Sequence, residues 1–166
     1  TISLNANYTR ARYNLSRSNL ATENFRDGWS DFHLRFEYSA IQFPQRVKDI
    51  LTLNQWNGEK FDGTLYVHGE QGVGDQILHS SMIADLYAIH QDICLTVEER
   101  LLSLFKRSFD YINVIAYGSN LKFNVNDQHI LLGSLGKYLR KSINDFRDSP
   151  FPFIIPSQEK VENYRK

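Results

Sequence analysis

The feature that most constrains the fold is a strand-like segment that ends in a glycine-rich turn and continues as a helix. The apolar segment Thr64–Val67 leads through His68 into the turn Gly69–Asp75, with the sequence GEQGVGD, and a helical pattern follows it. Open α/β folds bind ligands at turns of this kind, at the carboxyl ends of parallel strands. Glycines let the backbone turn sharply and lie close to a bound group. This turn is therefore the first candidate for a functional site.

Strand-like and helix-like patterns alternate from Gly63 onward. The predicted strands are Thr64–Val67, Asp92–Val97, Tyr111–Ala116 and His129–Leu132. The predicted helices are Asp75–His90, Glu98–Arg107, Ser134–Ser142 and one that begins after Pro156. Strands that alternate with helices are typical of a parallel sheet with right-handed crossovers. The sequence thus predicts an α/β fold with a Rossmann-like, mainly parallel sheet and flanking helices.

The first forty or so residues have a helical pattern instead. Apolar residues recur at steps of three to five positions, at Ala11, Leu15, Leu20, Phe25, Trp29, Phe32 and Phe36. The polar residues Thr22, Glu23 and Asn24 interrupt the pattern and favour a turn. We therefore expect a helical hairpin of Leu4–Ala21 and Phe25–Tyr38 before the α/β region. Aromatic residues at helical spacing normally pack, so the aromatic stripe of Trp29, Phe32 and Phe36 should form core between the hairpin and the α/β body.

The expected domain organisation follows from these patterns. Residues 1–43 form the hairpin, which ends at Phe43 because the residue before Pro44 avoids helical backbone angles. Residues 44–62 form a connector with Trp56 as an anchor, and residues 63–150 form the Rossmann-like domain. Residues 151–166 form an exit linker and a helix. Because the chain begins without Met, we expect it to be a piece of a longer protein.

Composition excludes some classes of partner. Nineteen Lys and Arg balance nineteen Asp and Glu, so the net charge is zero, which argues against a broad nucleic-acid surface. No apolar run approaches the roughly 20 residues that a membrane-spanning helix needs, and no signal peptide is visible. The single cysteine, Cys94, lies in an apolar run and should be a buried structural thiol. We expect a cytoplasmic protein without a membrane span.

The glycine turn fits neither of two common phosphate-binding motifs. A dinucleotide fingerprint needs a third glycine, but Ile77 follows Gly72 and Gly74 at that spacing. A P-loop needs Lys and Ser or Thr after its last glycine, but Asp75 follows instead. A nicotinamide site remains an alternative, which cofactor-induced stabilisation would test.

A third use of the turn is a sugar or acceptor site with Asp75 as general base. A carboxylate at a helix N-terminus is stabilised as the anion and can accept a proton from an attacking hydroxyl. The alternative is that Asp75 only caps its helix. Glu70 either binds a ligand hydroxyl or braces the turn through backbone N–H groups. Ser134, in a second strand-end turn on the same sheet edge, either contacts the same ligand or acts as an N-cap.

Other chemistry has little support in the sequence. The histidines at positions 68, 79, 90 and 129 have no partner at the spacing that a metal site on a helix needs, so no metal is expected. Ser80 and Ser81 lie within a helical pattern rather than at the strained strand-to-helix turn of a nucleophilic serine, so the sequence does not indicate a Ser-His-Asp triad.

Several segments together resemble a family of bacterial repeat proteins. Residues 14–25, Gly28-Trp29 and Arg35 are similar to a final tetratricopeptide unit, and Trp56-Asn57-Gly58 is similar to a Trp-x-Gly connector. Glu70–Asp75 matches the family's Glu-Gln-Gly-x-Gly-Asp turn at each position. Ser134-Leu135 matches a later Ser-Leu-Pro turn, with Gly136 in place of Pro. The chain thus resembles the last tetratricopeptide unit and the front half of a heptosyltransferase-like GT-B glycosyltransferase of glycosyltransferase family 9.

The resemblance implies a function. Asp75 would be the catalytic base of a metal-independent displacement, and Glu70, Gln71, Gly72, Gly74 and Ser134 would bind ligand. The acceptor would be a sugar or a protein. The nucleotide-sugar donor, a substrate rather than a cofactor, would bind mainly to a second, C-terminal domain that this chain lacks, so the isolated chain would be inactive. The alternative from another class is a non-catalytic protein-interaction module that binds a protein partner through helical repeats.

Overall fold

A computed structural model describes residues 8–38, 43–147 and 152–165. These ranges contain a four-stranded, all-parallel sheet flanked by helices, which confirms the α/β, Rossmann-like fold class. Residues 4–7 of the first predicted helix and residues 148–151 around the predicted exit linker lie outside the described ranges. No helix within those ranges has both the length and the apolar character that crossing a membrane requires.

The N-terminal hairpin consists of two helices and one additional turn. Helix α1 is Thr9–Ala21, helix α2 is Phe25–Phe32, and a 3-10 turn, His33–Phe36, continues α2. Gly28 lets the two helices approach closely, because a Cβ atom at this position would lie 2.7 Å from Leu20 Cδ2. The hairpin that the helical spacing predicts is therefore present, with a shorter second helix than expected.

The connector contains a helix that the sequence did not indicate. Helix α3, Gln45–Ile50, begins directly after Pro44, whose fixed φ suits the residue before a helix. Trp56 is the expected anchor: its backbone N–H donates to His129 O at 2.9 Å and its buried ring packs against Tyr138.

The sheet has its strands in the order β3-β2-β1-β4. The strands are β1 Leu65–His68, β2 Ile93–Val97, β3 Asn113–Ala116 and β4 Gln128–Leu131. Each lies within two residues of the boundaries that the apolar runs predict. Side chains alternate between the two faces, and one face is the apolar core around Leu65, Val67 and Leu95, which are fully buried.

The helices after β1 are α4 Val73–Ser80, α5 Ile83–Ile89, α6 Glu99–Ser108, α7 Gly136–Leu139, α8 Asn144–Arg147 and α9 Gln158–Tyr164. Helix α6 has the predicted length and begins one residue later than expected, whereas α7 is shorter than the predicted helix Ser134–Ser142. The expected helix Asp75–His90 is interrupted after Ser80. There, the Ser80 and Ser81 hydroxyls donate to the Ile77 and Leu78 carbonyls at 2.8 Å, and such bonds compete with the helical ladder.

The other face of the sheet is polar and aromatic. The rings of Tyr66, His68 and His129 are nearly parallel, with the His68 and His129 centroids 5.4 Å apart. His68 Nδ1 lies 2.9 Å from Thr96 Oγ1, and His68 Nε2 lies 3.1 Å from His129 Nδ1. Cys94 is buried on the same face, and burial raises the pKa of its thiol to about 11, which fits the structural thiol that was expected.

The buried histidines should make the protein less stable in acid. Burial lowers the pKa of His68 to about 3, and the pKa of His129 also falls. The unfolded chain binds protons at these sites near pH 6.5, while the folded chain does not, so stability present at neutral pH is lost as the pH falls below that value. Between about pH 7 and pH 4.5, His68 alone should cost about 2–3 kcal/mol of unfolding free energy.

Urea unfolding at these two pH values tests this expectation. His68→Gln should reduce the pH-dependent loss, while His33→Gln, at an exposed histidine, should leave it unchanged. Equal pH dependence in the wild type and His68→Gln would show that His68 is not the buried neutral group responsible.

Candidate functional site

The candidate site lies where the strand order of the sheet reverses. Strands β2 and β3 lie on one side of β1, and β4 lies on the other. The carboxyl ends of β1 and β4 therefore flank the crevice in which doubly wound folds bind ligands. Residues 69–72 follow β1 and residues 132–134 follow β4, so the two turns that the sequence singled out face each other across this crevice.

Glu70 joins the two turns. Its side chain is only 2 % exposed, and its Oε1 accepts a hydrogen bond from the Gly133 N–H at 3.0 Å. A Cβ atom at position 133 would lie 2.6 Å from that oxygen, so the close approach requires glycine there. Of the two roles considered for Glu70, bracing is the arrangement that these contacts describe.

Arg35, from the 3-10 turn of the hairpin, lies at the centre of the crevice. Its guanidinium donates to Glu70 Oε1 at 2.6 Å and to Ser134 Oγ at 2.8 Å, and it is only 1 % exposed. The rings of Phe32 and Phe36 lie 4.4 and 4.0 Å from its central carbon. Arg35 thus neutralises the buried carboxylate and attaches the hairpin to both turns.

Sequence reasoning gave Arg35 no role in the site, although it belongs to the segment that carries the family resemblance. The available signal was its position within the aromatic stripe, three residues after Phe32 and directly before Phe36. A cation in the buried stripe of a helix needs a buried anion nearby.

The glycine turn has two features that internal packing does not explain. Gln71 has a left-handed backbone with φ of 55°, a conformation that costs a residue with a side chain about 1 kcal/mol or more. A Cβ atom at Gly74 would meet nothing within 4 Å, and one at Gly72 would contact only Asp75 Oδ2, at 3.5 Å. The backbone at these two glycines is therefore open to an approaching group.

Asp75 is both a cap and a cavity residue. Its Oδ2 accepts a hydrogen bond from the Gly72 N–H at 3.2 Å, at the start of α4. The same side chain is half-buried and lines a cavity of about 570 Å³ between the hairpin and α4. Capping is therefore present, and it leaves the carboxylate in contact with a space that can hold a ligand.

This first cavity is mainly apolar, with polar groups from the turn and the helices. Its apolar lining residues are Tyr13, Leu20, Phe25, Trp29, Phe32, Leu78, Met82 and Phe146. Its polar lining residues are Arg17, Gln71, Asp75, His79, Ser81 and Arg140. The aromatic stripe thus has two roles. It packs on the body, because a Cβ atom on Gly136 would overlap the Trp29 ring, and its residues Trp29 and Phe32 line the cavity.

His79 lies one helical turn after Asp75 and lines the same cavity. Its ring contacts those of Trp29 and Phe32, with centroids 6.3 and 6.2 Å away. Burial lowers the pKa of His79, and the negative charges of Glu70 and Asp75 oppose this shift only in part. His79 is therefore an uncharged imidazole at neutral pH, and sequence reasoning gave it no role in this cavity.

Metal binding has no visible basis in the described ranges: no group of three or more His, Cys, Asp or Glu side chains there is close enough to hold an ion.

Of the residues predicted to bind ligand, Gln71 lines the first cavity with Asp75. Gly72 and Gly74 lie in the adjoining turn, whereas Glu70 and Ser134 meet at Arg35.

Comparison with known proteins gives one partial similarity. No family model matches this chain, and no solved structure matches it. A stretch of 96 residues is 30% identical to Protein FlbA of Caulobacter vibrioides (strain ATCC 19089 / CIP 103742 / CB 15). That stretch covers 55% of this chain but only 15% of FlbA, so the chain is similar to a small part of a much longer protein.

Proposed function

We propose that this chain is the acceptor-side half of a GT-B glycosyltransferase, with Asp75 as the catalytic base. One observation carries the proposal. A carboxylate lines a cavity at the carboxyl end of β1, beside two glycines whose open backbone has no internal packing reason. The sheet order and the position at the strand reversal agree with a fold that binds ligands there.

In the proposed reaction, Asp75 accepts the proton of an acceptor hydroxyl. The hydroxyl oxygen attacks the anomeric carbon of the donor sugar, and a new C–O bond forms. The bond between that carbon and the nucleoside diphosphate breaks, and the diphosphate leaves with the electron pair. A positioned base of this kind contributes about 10²–10⁴-fold to a rate.

The other turn residues divide into two groups. Gln71, Gly72 and Gly74 form the surface of the turn and are assigned to ligand contact. Glu70 and Ser134 hold the two turns together through Arg35, because the carboxylate and hydroxyl oxygens already accept hydrogen bonds there. The donor nucleotide sugar is assigned mainly to a second domain, as the family resemblance implies.

The chemistry of the cavity narrows the acceptor. Most of its lining is aliphatic or aromatic, so the part of the acceptor next to the reacting hydroxyl should itself be apolar or aromatic. A sugar attached to an apolar carrier and a hydroxyl-bearing protein segment both meet this requirement.

Gly74→Ala tests whether the open glycine serves a ligand. Because the added methyl group meets no atom and Ala favours helices, the variant should be as stable as the wild type or more stable by about 0.5–1 kcal/mol. If a substrate approaches this backbone, the same methyl group should reduce sugar transfer at least about tenfold, or about 1.4 kcal/mol.

The assay uses the natural protein at the length its gene encodes. Nucleotide release is measured from a panel of UDP-, GDP-, ADP- and CMP-linked sugars, with a cell extract as the source of acceptor. Gly28→Ala is the control for stability. Unlike Gly74→Ala, it should destabilise the protein, because the added methyl group would lie 2.7 Å from Leu20 Cδ2. Release from no member of the panel would refute the glycosyltransferase. Full activity in Gly74→Ala would refute the role of the turn.

A second candidate, a non-catalytic interaction module, is favoured by one observation. Leu78 is 65 % exposed and belongs to the mainly apolar lining of the first cavity, and contiguous apolar surface of this kind can dock an apolar side chain of a partner. This candidate predicts that Asp75 is dispensable for the function of the natural protein.

A further inference from the structure

A second cavity lies on the polar face of the sheet. It has a volume of about 680 Å³ and opens at the carboxyl ends of β1, β2 and β3. Helix α3 with the residues that follow it forms one wall, and the loop after β3 forms another. The two cavities have no lining residue in common, so the second cavity is a separate space.

The floor of the second cavity is a hydrogen-bonded chain of Thr96, His68 and His129. Thr96 and His68 line the cavity and are both more than nine-tenths buried. The chain can be arranged in two ways. Either His68 donates to Thr96, whose hydroxyl then donates into the cavity, or Thr96 donates to His68 and its oxygen accepts from the cavity. The floor therefore matches a group that both donates and accepts a hydrogen bond, which is the property of a hydroxyl.

The walls add further hydrogen-bond acceptors. The Ser119 hydroxyl donates to Ala116 O at 2.9 Å, and the Thr52 hydroxyl donates to Asp49 O at 2.7 Å. Because these hydroxyl protons are used internally, the two oxygens are left to accept from a ligand. A ligand with several O–H donors suits this arrangement.

The charges of the second cavity nearly cancel. Arg46 and Asp49 are its charged lining residues. Arg46 is held in place, because it donates to Gly69 O at 3.1 Å and lies 3.6 Å from the Tyr117 ring centroid. With one cation and one anion, the cavity has no excess charge with which to attract an ionic ligand.

Aromatic surface completes the site. Phe123 is 43 % exposed, and its ring is supported edge-to-face by Tyr66 and His129 at 4.8 and 4.6 Å. Gly118 has φ of 81° and nothing within 4 Å of its Cβ position, so the loop backbone is open on this side. An exposed, rigidly supported ring beside hydroxyl acceptors suits the C–H face of a sugar ring.

We propose that the second cavity is a binding site for a neutral, hydroxyl-rich ligand, specifically a sugar ring. The sugar stacks on Phe123, donates hydroxyls to Ser119 and Thr52, and places one hydroxyl on Thr96. The site shares no residue with the Asp75 cavity and does not rest on the proposed transferase activity.

Calorimetric titration of the natural protein tests the site with glucose, galactose, mannose and N-acetylglucosamine. At least one of them should bind saturably, and Thr96→Val, which removes the hydroxyl and keeps the shape, should weaken that binding about tenfold or more. Phe123→Leu is the second variant. It removes the half-exposed ring on which the sugar stacks and should also weaken binding. The matched control is Thr22→Val, which removes an exposed hydroxyl in the hairpin turn and should not change binding.

Three results would overturn the proposal. The first is saturable binding of none of the four sugars. The second is unchanged binding in both Thr96→Val and Phe123→Leu. The third is tighter binding of glucose 6-phosphate than of glucose, which would assign the cavity to an anion. None of these results depends on sugar transfer, so failure here is distinguishable from failure of the Asp75 assignment.

Discussion

Replacing Arg35 by Met should destabilise the protein by about 3–5 kcal/mol, because the Glu70 carboxylate would remain buried without a counter-charge. The Met side chain can still fill the space between Phe32 and Phe36, so the expected loss comes mainly from the unpaired charge. Glu70 cannot turn to solvent easily, since it is only 2 % exposed and its Oε1 also accepts from the Gly133 N–H. Chemical denaturation of the wild type and the variant measures the effect.

Arg12→Met is the matched control. Arg12 forms an ion pair with Asp31 in the same hairpin, but both side chains are partly exposed, so its loss should cost much less stability than the loss of Arg35. Adding Glu70→Gln to Arg35→Met should restore much of the stability, because an amide oxygen still accepts from Gly133 and needs no cation. If Arg35→Met cost no more than Arg12→Met, the pair would not be the buried link between hairpin and sheet.

Asp75→Asn should lower sugar transfer by the natural protein about 10²–10⁴-fold, since an amide cannot take up the acceptor proton. Its effect on stability should be small. The amide oxygen can still accept from the Gly72 N–H, so the expected loss is the interaction of the charge with the start of α4, about 0.3–1 kcal/mol. Turnover and denaturation, measured on the same preparation, separate the two effects.

Asp27→Asn provides the comparison, because Asp27 is a carboxylate in the first turn of α2 and belongs to neither cavity. It should lose a similar amount of stability and no activity. Undiminished transfer by Asp75→Asn would remove Asp75 from the reaction, and another group would then have to act as the base. A loss of stability as large as that of Arg35→Met would instead show that Asp75 has a mainly structural role.

The sheet could be predicted from the sequence because its strands are short apolar runs bounded by turns. The apolar residues of these runs, such as Leu65, Val67 and Leu95, are buried in the core, so the local pattern and the tertiary structure agree. Helix α3 was missed because its six residues lack a long apolar repeat, and a contact that holds it, from Arg46 to Gly69 O after β1, joins residues 23 positions apart. The division between α4 and α5 depends on two serine hydroxyls that local pattern treats as ordinary helix residues.

The site could be predicted only as far as its local residues. Asp75 directly follows the glycines of the turn in the sequence, so their proximity could be predicted. The partner of Glu70 lies 35 positions earlier, and the partner of Arg35 on the second turn lies 99 positions later. Such contacts arise from the packing of the hairpin on the sheet. The same holds for the second cavity, whose floor joins His68 to a residue 61 positions away in the chain.

The Arg35–Glu70 pair has a consequence for how this chain can be divided. A cut at the connector would separate a cation from the carboxylate it neutralises, and each fragment would have to hydrate a group that the intact fold keeps dry. The hairpin and the sheet should therefore unfold in one cooperative transition, although their sequence patterns differ. A partner that pulls the hairpin outward would also withdraw the charge beneath the glycine turn. Binding on the helical side can thus alter the turn without contact at Asp75.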